Sequence, residues 1–263
     1  MVTTARVTEI ETTAGTARAH VYEVPEGVPR GTLALTHGAG AGINSWDLQL
    51  LAGNLPQRGV EVVLFEQPWA FEGKSVAPAK SKLDAAFRES VTWLRRSGEA
   101  LRHLIVGGRS SGARTACRTV GDLEVDGVLC LAFPLHTPGK PNVDRSDELA
   151  SAAENHLVTV IQGDRDPFGT PVELIEATGE HGVSVDVLGL PWADHSMQIK
   201  KKAPLTQEEI GLYLSEAAWN TVIWRRTPMH SIAGFAQNSA ALRLQSLRRW
   251  SVSGNARLLG DVG

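Results

Sequence analysis

The sequence predicts an α/β fold with a mostly parallel central sheet flanked by helices. Short apolar segments rich in Val, Leu and Ile alternate with longer amphipathic segments along most of the 263 residues. The apolar segments show little alternation with polar residues, which is typical of strands covered on both faces, as in a parallel sheet. Strands that alternate with helices in this way favour an α/β architecture.

The same patterns place each element along the chain. Six strands are predicted, at Leu33–Thr36, Val60–Phe65, Leu104–Val106, Val128–Ala132, Leu157–Ile161 and Val183–Leu188. Helices are predicted at Trp46–Arg58, Lys80–Gly98, Ser111–Val120, Pro171–Gly182 and Thr206–Trp224. A hairpin over Arg6–Val24, turning at Thr13–Thr16, is expected to add antiparallel strands at one edge. Residues 133–156 hold three prolines and one small helical segment near Asp144–Ala153, so little or no lid domain is expected.

The chain divides into a predicted α/β domain over residues 1–224 and a basic C-terminal tail over residues 225–263. The tail contains six arginines but only one acidic residue, Asp261. Its bulky apolar residues could form one face of a short basic helix: Leu242, Leu247 and Trp250. Two interpretations stay open, a solvated or partly disordered tail and a helix that binds a partner or a membrane surface.

The composition excludes several functional classes. A net charge of −3 lacks the basic excess of a nucleic-acid-binding domain. The polar N-terminus does not resemble a signal peptide, and no apolar segment is long enough to cross a bilayer, so we expect a cytoplasmic protein without stable membrane insertion. The two cysteines are interpreted as buried small apolar residues. The eight histidines show no metal-ligand spacing, and no metal or cofactor is expected.

The candidate nucleophile is Ser110. It is the centre of Gly108-Arg109-Ser110-Ser111-Gly112, a G-x-S-x-G element between an apolar strand and a helix. The serine of such an element occupies a sharp strand-to-helix turn that exposes its hydroxyl, and side chains two positions away would collide. The N-terminus of the helix that follows favours developing negative charge. Ser111 lacks glycines two positions before and after, so it is the weaker candidate.

A nucleophilic serine needs a base, and His195 follows the last predicted strand. His37, His136 and His181 are the alternatives that we considered. His37 is expected to support its loop, His136 to line the pocket and His181 to end a helix.

The base needs a carboxylate to orient it, and two acids follow the strand Leu157–Ile161. Asp166 is favoured because Pro167 holds it in extended or turn geometry. Asp164 is expected to stabilise the turn. Asp194 adjoins the histidine in sequence and is a poorer candidate, since consecutive loop side chains tend to diverge.

The loop after the first parallel strand, Thr36–Gly42, is built of small residues. Such residues let backbone N–H groups approach a substrate oxygen closely. The expected oxyanion donors are the N–H groups of Ala39 and Ser111, with Gly40 as the alternative to Ala39. The rival interpretation is a phosphate-binding loop, but the segment lacks the spacing and the lysine of that motif.

Together these residues resemble the α/β-hydrolase superfamily, and within it the small dienelactone-hydrolase-like bacterial hydrolases. The matching segments are Thr36–Gly40, Gly107–Gly112, Phe133–His136, Gly139–Pro141, Gly163–Gly169 and Ala193–His195. The resemblance covers roughly residues 15–220, and it implies the α/β-hydrolase fold and hydrolysis through an acyl-enzyme. Dienelactone hydrolase itself has a cysteine nucleophile, so Ser110 departs from it.

The predicted function is a serine hydrolase that cleaves a carboxylic ester, thioester or related acyl bond of a small molecule. The residues expected to bind the substrate are Phe133, His136, Phe168 and Trp192, because ligands bind at the carboxyl ends of strands in open α/β sheets. An internal salt bridge is the favoured role of Arg109, and pairing with an acidic group of the substrate is the alternative. The alternative function is a non-catalytic interaction or scaffold protein on the same fold. The oligomeric state stays open.

Overall fold

The computed structural model describes residues 4–40, 42–98, 103–140 and 144–223. These residues form an eight-stranded sheet in the order β1-β2-β4-β3-β5-β6-β7-β8. Its strands are β1 Arg6–Thr12, β2 Gly15–Tyr22, β3 Gly31–Thr36, β4 Val60–Glu66, β5 Leu104–Arg109, β6 Gly127–Leu131, β7 Val158–Gly163 and β8 Asp186–Leu190. β1 pairs antiparallel with β2 and β2 with β4, while all other pairs are parallel. The predicted hairpin and the mostly parallel sheet are therefore confirmed.

The helices occupy the connections between the strands. They are α1 Trp46–Asn54, α2 Pro68–Phe71, α3 Lys80–Arg96, α4 Ser111–Thr119, α5 Ser146–Ala153, α6 Pro171–Glu180 and α7 Gln207–Ile223. α1 ends before the predicted Arg58 because Pro56 begins a separate 3-10 turn. α2 was not predicted, and β8 begins three residues later than expected. Between β6 and β7 the described residues form only the short helix α5, in agreement with a fold that has little or no lid domain.

The sheet is covered on both faces, as the unbroken apolar strands predict. One buried cluster joins the strands to α3, α4, α5 and α6, and the other joins them to α1 and α7. Successive residues of a strand alternate between the clusters; Val63 and Phe65 pack in the first, Val62 and Leu64 in the second. No helix in the described part of the chain is long and apolar enough to cross a bilayer. The predicted tail, residues 225–263, lies outside the described residues.

The two cysteines are buried on one face of the sheet. Cys117 lies on α4 and Cys130 on β6, and their unbonded Sγ atoms are 3.4 Å apart. The contact with Cys117 and burial together raise the pKa of the Cys130 thiol. Cys130 is therefore held as a thiol within the apolar core, as the sequence led us to expect.

Gly107 lies where β5 and β6 approach each other too closely for any side chain. A Cβ atom built on Gly107 would lie 1.9 Å from the carbonyl oxygen of Leu129. We expect Gly107→Ala to lower the free energy of unfolding by more than about 3 kcal/mol, because backbone atoms rather than a flexible side chain must move. Urea denaturation followed by circular dichroism measures the change.

Gly179→Ala is the matched control for Gly107→Ala. Gly179 lies in α6, and a Cβ atom there would meet no atom within 4 Å. Alanine at this helical position is expected to raise the free energy of unfolding by about 0.5–1 kcal/mol, since it restricts the unfolded chain. Equal effects of the two substitutions would contradict the steric argument.

Candidate active site

The predicted site residues meet at the carboxyl edge of the parallel strands. Ser110 follows β5, Asp166 follows β7 and His195 follows β8. Parallel strands bring their carboxyl ends to one edge of the sheet, so three segments distant in sequence converge there. Asp166 is buried, whereas Ser110 and His195 are partly exposed.

Ser110 occupies the strained turn that the motif predicts. Its backbone has φ 53° and ψ −116°, a conformation that costs energy for a residue with a side chain. The flanking glycines allow the turn to pack against the β3 loop, because a Cβ atom on Gly108 or Gly112 would lie 2.6 Å from the carbonyl oxygen of Thr36. The Ser110 N–H donates to the carbonyl of Leu131 at 2.9 Å, which anchors the turn to β6.

A continuous chain of hydrogen bonds joins the three side chains. The Ser110 hydroxyl lies 2.9 Å from Nε2 of His195. Nδ1 of the same imidazole lies 2.8 Å from Oδ2 of Asp166. A carboxylate accepts, so Nδ1 carries the proton and Nε2 is free to accept from the hydroxyl. The geometry can therefore move a proton from the serine hydroxyl to the imidazole while the carboxylate holds the ring in place.

Asp166 is held by two further donors. The backbone N–H of Phe168 donates to Oδ1 at 2.8 Å, and Nε2 of Gln162 donates to Oδ2 at 2.9 Å. Gln162 is fully buried, and its Nε2, which has two hydrogens to share among its acceptors, also lies 3.2 and 2.6 Å from the carbonyl oxygens of Phe133 and Gly169. Sequence analysis missed Gln162; the signal was a single amide side chain at the end of an otherwise apolar strand.

The loop that carries Asp166 is fastened to the loop that carries His195. The backbone N–H of Arg165 donates to the carbonyl of Ala193 at 3.0 Å. A Cβ atom on Gly163 would lie 2.3 Å from the same carbonyl oxygen, so only glycine permits this approach. These contacts fix the distance between the carboxylate and the imidazole.

The other two acids near the site accept hydrogen bonds from backbone N–H groups. Burial raises the pKa of the Asp164 carboxyl, and its hydrogen bond from the Trp192 backbone opposes this effect. Asp194 points back into its own loop, where Oδ1 accepts from the N–H groups of Ser196 and Gln198 at 2.8 and 3.1 Å. In the structure, Asp166 is the acid that contacts the imidazole of His195.

His37 supports the loop between β3 and α1, the structural role expected for it. Its Nδ1 donates to the carbonyl of Gly38 at 2.8 Å, and its Nε2 accepts from the N–H of Gln67 at 3.0 Å. Burial lowers the pKa of His37, against the opposing effects of the Gly38 hydrogen bond and the Glu66 charge. A neutral ring is required, because a protonated Nε2 could not accept from Gln67.

This arrangement predicts a loss of stability in mild acid. The ordinary pKa of histidine is 6.5, and the pKa of His37 is lower in the folded protein. Below pH 6.5 the unfolded chain is therefore protonated at His37 while the folded chain is not, so the free energy of unfolding falls as the pH falls. The slope from this one group is at most about 1.4 kcal/mol per pH unit. Urea titrations at several pH values between 5 and 7.5 measure it, and His37→Asn is expected to flatten the curve. A variant with the same slope as the wild type would contradict the assignment.

Arg109 forms the internal salt bridge that was expected of it. Its Nε lies 3.0 Å from Oδ2 of Asp47 in α1, a close ion pair in which the N–H does not point at the oxygen. Its Nη2 donates to the carbonyl of His195 at 2.9 Å. Sequence analysis did not identify Asp47 as the partner.

Phe168 lies beside the histidine, and Trp192 precedes it in the same loop. The ring of Phe168 stacks on the His195 ring with 4.2 Å between centroids. The ring of Trp192, at φ 66°, is covered by the guanidinium of Arg165 at 3.7 Å. The Phe168 ring can therefore border a substrate bound at Ser110, while the face of Trp192 toward Arg165 is occupied.

The other two predicted substrate-binding residues lie deeper in the protein. Phe133 is completely buried in the core cluster beneath α4 and α6, so its side chain presents no surface to a ligand, contrary to expectation. The residue before it, Ala132, adopts φ 48° directly after β6, so the backbone direction changes there. The largely buried His136 ring faces Glu173 at 3.6 Å, and its backbone N–H donates to the carbonyl of Phe168.

The predicted oxyanion loop lies against the nucleophile. A Cβ atom on Gly38 would lie 3.2 Å from Cβ of Ser110, which places the loop in contact with the turn. Ser111 is the first residue of α4, where a backbone N–H has no acceptor within the helix. Ala39 follows Gly38 in an exposed turn. No cluster of metal-binding side chains occurs among the described residues.

Comparison with known proteins agrees with this geometry. A family model described as an alpha/beta hydrolase domain matches residues 29–222, which include all of the parallel strands.

Solved structures with a similar fold include three hydrolases. A serine hydrolase without a lid from Xanthomonas campestris has a TM-score of 0.64 at 18% identity, over 88% of this chain and 99% of that chain. Carboxyl esterase 2 from the fungus Tuber melanosporum has a TM-score of 0.60 at 14% identity, over 85% of this chain and 88% of that chain. A dienelactone hydrolase from Anabaena variabilis has a TM-score of 0.60 at 15% identity, over 84% of this chain and 98% of that chain. At these identities the similarity establishes the shared fold.

Proposed function

The chain belongs to the α/β-hydrolase domain family, and from this premise we propose that it is a serine hydrolase that cleaves a carboxylic ester, thioester or related acyl bond. The observation that carries the proposal is the hydrogen-bonded series Ser110–His195–Asp166, with 2.9 Å and 2.8 Å between the successive partners. Serine hydrolases with a Ser-His-Asp triad use this order of hydroxyl, imidazole and carboxylate.

The proposed reaction has two halves. The Ser110 oxygen attacks the acyl carbon while Nε2 of His195 takes its proton, and the imidazolium then protonates the leaving group. Water next attacks the acyl-enzyme, with His195 again accepting a proton and returning it to Ser110. Asp166 stays ionised throughout, holds the Nδ1 proton and stabilises the imidazolium. The N–H groups of Ser111 and Ala39 are the proposed donors to the oxyanion.

The surroundings of Ser110 support a small or medium-sized acyl substrate. Among the described residues of the connection between β6 and β7, the only helix is α5, and the side chain of His195 is 18% exposed. Phe168 is the proposed apolar contact for the substrate, because its ring already stacks on His195. The names of two structural neighbours, an esterase and a dienelactone hydrolase, point to the same class of bond.

A fluorophosphonate probe tests the proposal. Ser110 is expected to attack phosphorus and expel fluoride, which leaves a covalent phosphonyl group that mass spectrometry maps to the peptide containing Ser110. Ser110→Ala is expected to stay unlabelled under the same conditions. An unlabelled wild type, or equal labelling of the variant, would refute the proposed mechanism and favour a non-catalytic scaffold.

A further inference from the structure

We propose that Arg109 is a positioning residue that clamps the loop of His195 and the oxyanion loop to the turn of Ser110, with Asp47 holding the guanidinium in place. This inference rests on the proposed function, since it concerns the geometry of the same site. Arg109 immediately precedes Ser110, so the contacts of its side chain lie next to the nucleophile turn.

Three separate segments contact the Arg109 guanidinium. Nη2 donates to the carbonyl of His195 at 2.9 Å, in the loop after β8. Nη1 would lie 3.1 Å from a Cβ atom on Gly38, so the guanidinium packs against the oxyanion loop. Nε lies 3.0 Å from Oδ2 of Asp47, in the first turn of α1. One side chain thus spans the histidine loop, the oxyanion loop and the helix that follows the oxyanion loop.

The burial of the pair favours a geometric role over a stabilising one. The side chains of Arg109 and Asp47 are 11% and 1% exposed. Removing two opposite charges from water costs about as much as their attraction returns, so such a pair contributes little net stability. The pair instead fixes the orientation of the guanidinium. A guanidinium is planar and has several N–H donors, so it can bind acceptors in different directions at once.

The clamp holds His195 through its backbone, whereas Asp166 holds its ring. The imidazole is fixed at Nδ1 by Asp166, and the carbonyl of the same residue is fixed by Arg109. Two attachments at opposite ends of one residue determine the position of Nε2 relative to the Ser110 hydroxyl. Loss of the backbone attachment should lower the turnover rate, since a misplacement of about 1 Å can cost about 100-fold.

The experiment compares Arg109→Lys and Arg109→Met with the wild type on a short p-nitrophenyl ester. We expect kcat to fall about 10- to 100-fold with KM within about threefold, because the acyl pocket is untouched while the alignment is lost. Lysine retains the charge but cannot reach His195, Asp47 and Gly38 together. The rate of fluorophosphonate labelling is expected to fall by a similar factor.

Arg109→Met leaves a buried carboxylate unpaired and can therefore impair folding. The double substitution Arg109→Met/Asp47→Asn removes both charges and keeps the Oδ1 acceptor that Asp47 presents to the N–H of Leu48. This variant is expected to recover the melting temperature without recovering kcat. Recovery of kcat together with stability would show that the pair acts on stability alone and would overturn the proposal.

Arg114→Gln is the matched control on the same stretch of chain. The Arg114 side chain forms a two-fold hydrogen bond with Glu148, at 2.7 Å for both contacts. Its contact with Ser110 is a backbone hydrogen bond to the Ser110 carbonyl, which glutamine retains. Its kcat is expected to stay within about twofold of the wild type, since alignment at Ser110 is preserved. If the wild type is labelled and the Arg109 variants are labelled at the same rate, the positioning role of Arg109 is refuted but the proposed function is not. An unlabelled wild type would instead overturn the proposed function on which it rests.

Discussion

Ser110→Ala is expected to lower kcat for a short p-nitrophenyl ester by about 10⁶-fold, because it removes the atom that becomes acylated. The substitution removes one oxygen from a partly exposed side chain, so the fold is expected to persist. Backbone N–H groups remain able to bind the developing oxyanion, and a residual acceleration of about 10³–10⁴ over water is expected from them and from substrate binding. Steady-state kinetics on the purified variant measure the loss, and its circular dichroism spectrum checks the fold.

Ser196→Ala is the control for this substitution. Ser196 immediately follows His195 and is exposed, but its hydroxyl forms no part of the Ser110–His195–Asp166 series. Its kcat is expected to remain within about twofold of the wild type, since no reacting group changes. If Ser110→Ala retained a tenth or more of the wild-type turnover, another nucleophile would have to carry the reaction.

The sheet could be predicted from sequence because burial on both faces leaves a direct signal. β3, β4 and β6 are apolar segments, and each was placed within two residues of its observed ends. β5 was predicted to end at Val106 but continues to Arg109, because two glycines and an arginine carry no apolar signal although all three are buried. The short helix α2 has a single turn, too little to show a helical period.

The placement of Ser110, Asp166 and His195 could also be predicted, since each follows a strand of the same parallel sheet. The partners that orient them could not. Gln162 was hidden because its three acceptors are defined only by the folded loops around it. The contact between Arg109 and Asp47 joins β5 to a helix on a distant segment, and no local spacing encodes it.

The substrate-facing residues were the hardest to predict because loop direction is a tertiary property. Phe133 and Phe168 both follow strand ends and are equivalent in the sequence pattern. In the structure the first enters the core and the second stacks on the imidazole. Directly before Phe133, Ala132 has a positive φ, which is unusual for a residue other than glycine and gives no signal in the sequence.

Asp166→Asn is expected to lower kcat by about 10⁴-fold. The amide of Gln162, which donates to Oδ2 in the wild type, must then find another partner. Asparagine retains an oxygen that can accept from the N–H of Phe168, so the loop keeps its anchor. Its amide nitrogen, however, would donate to Nδ1 of His195 and move the imidazole proton to Nε2. The Ser110 hydroxyl would then face a donor and could not give up its proton.

The same substitution at the neighbouring acids separates the three candidates for the orienting carboxylate. Asp164→Asn and Asp194→Asn each keep an oxygen for the backbone N–H groups that those side chains accept from. Both are expected to retain kcat within about threefold, because neither carboxylate contacts His195 in the structure and no imidazole proton is displaced. Kinetics on the three purified variants, with melting temperatures as a check on folding, distinguish the alternatives. A loss of activity in Asp194→Asn that matched the loss in Asp166→Asn would refute the assigned order of carboxylate, imidazole and hydroxyl.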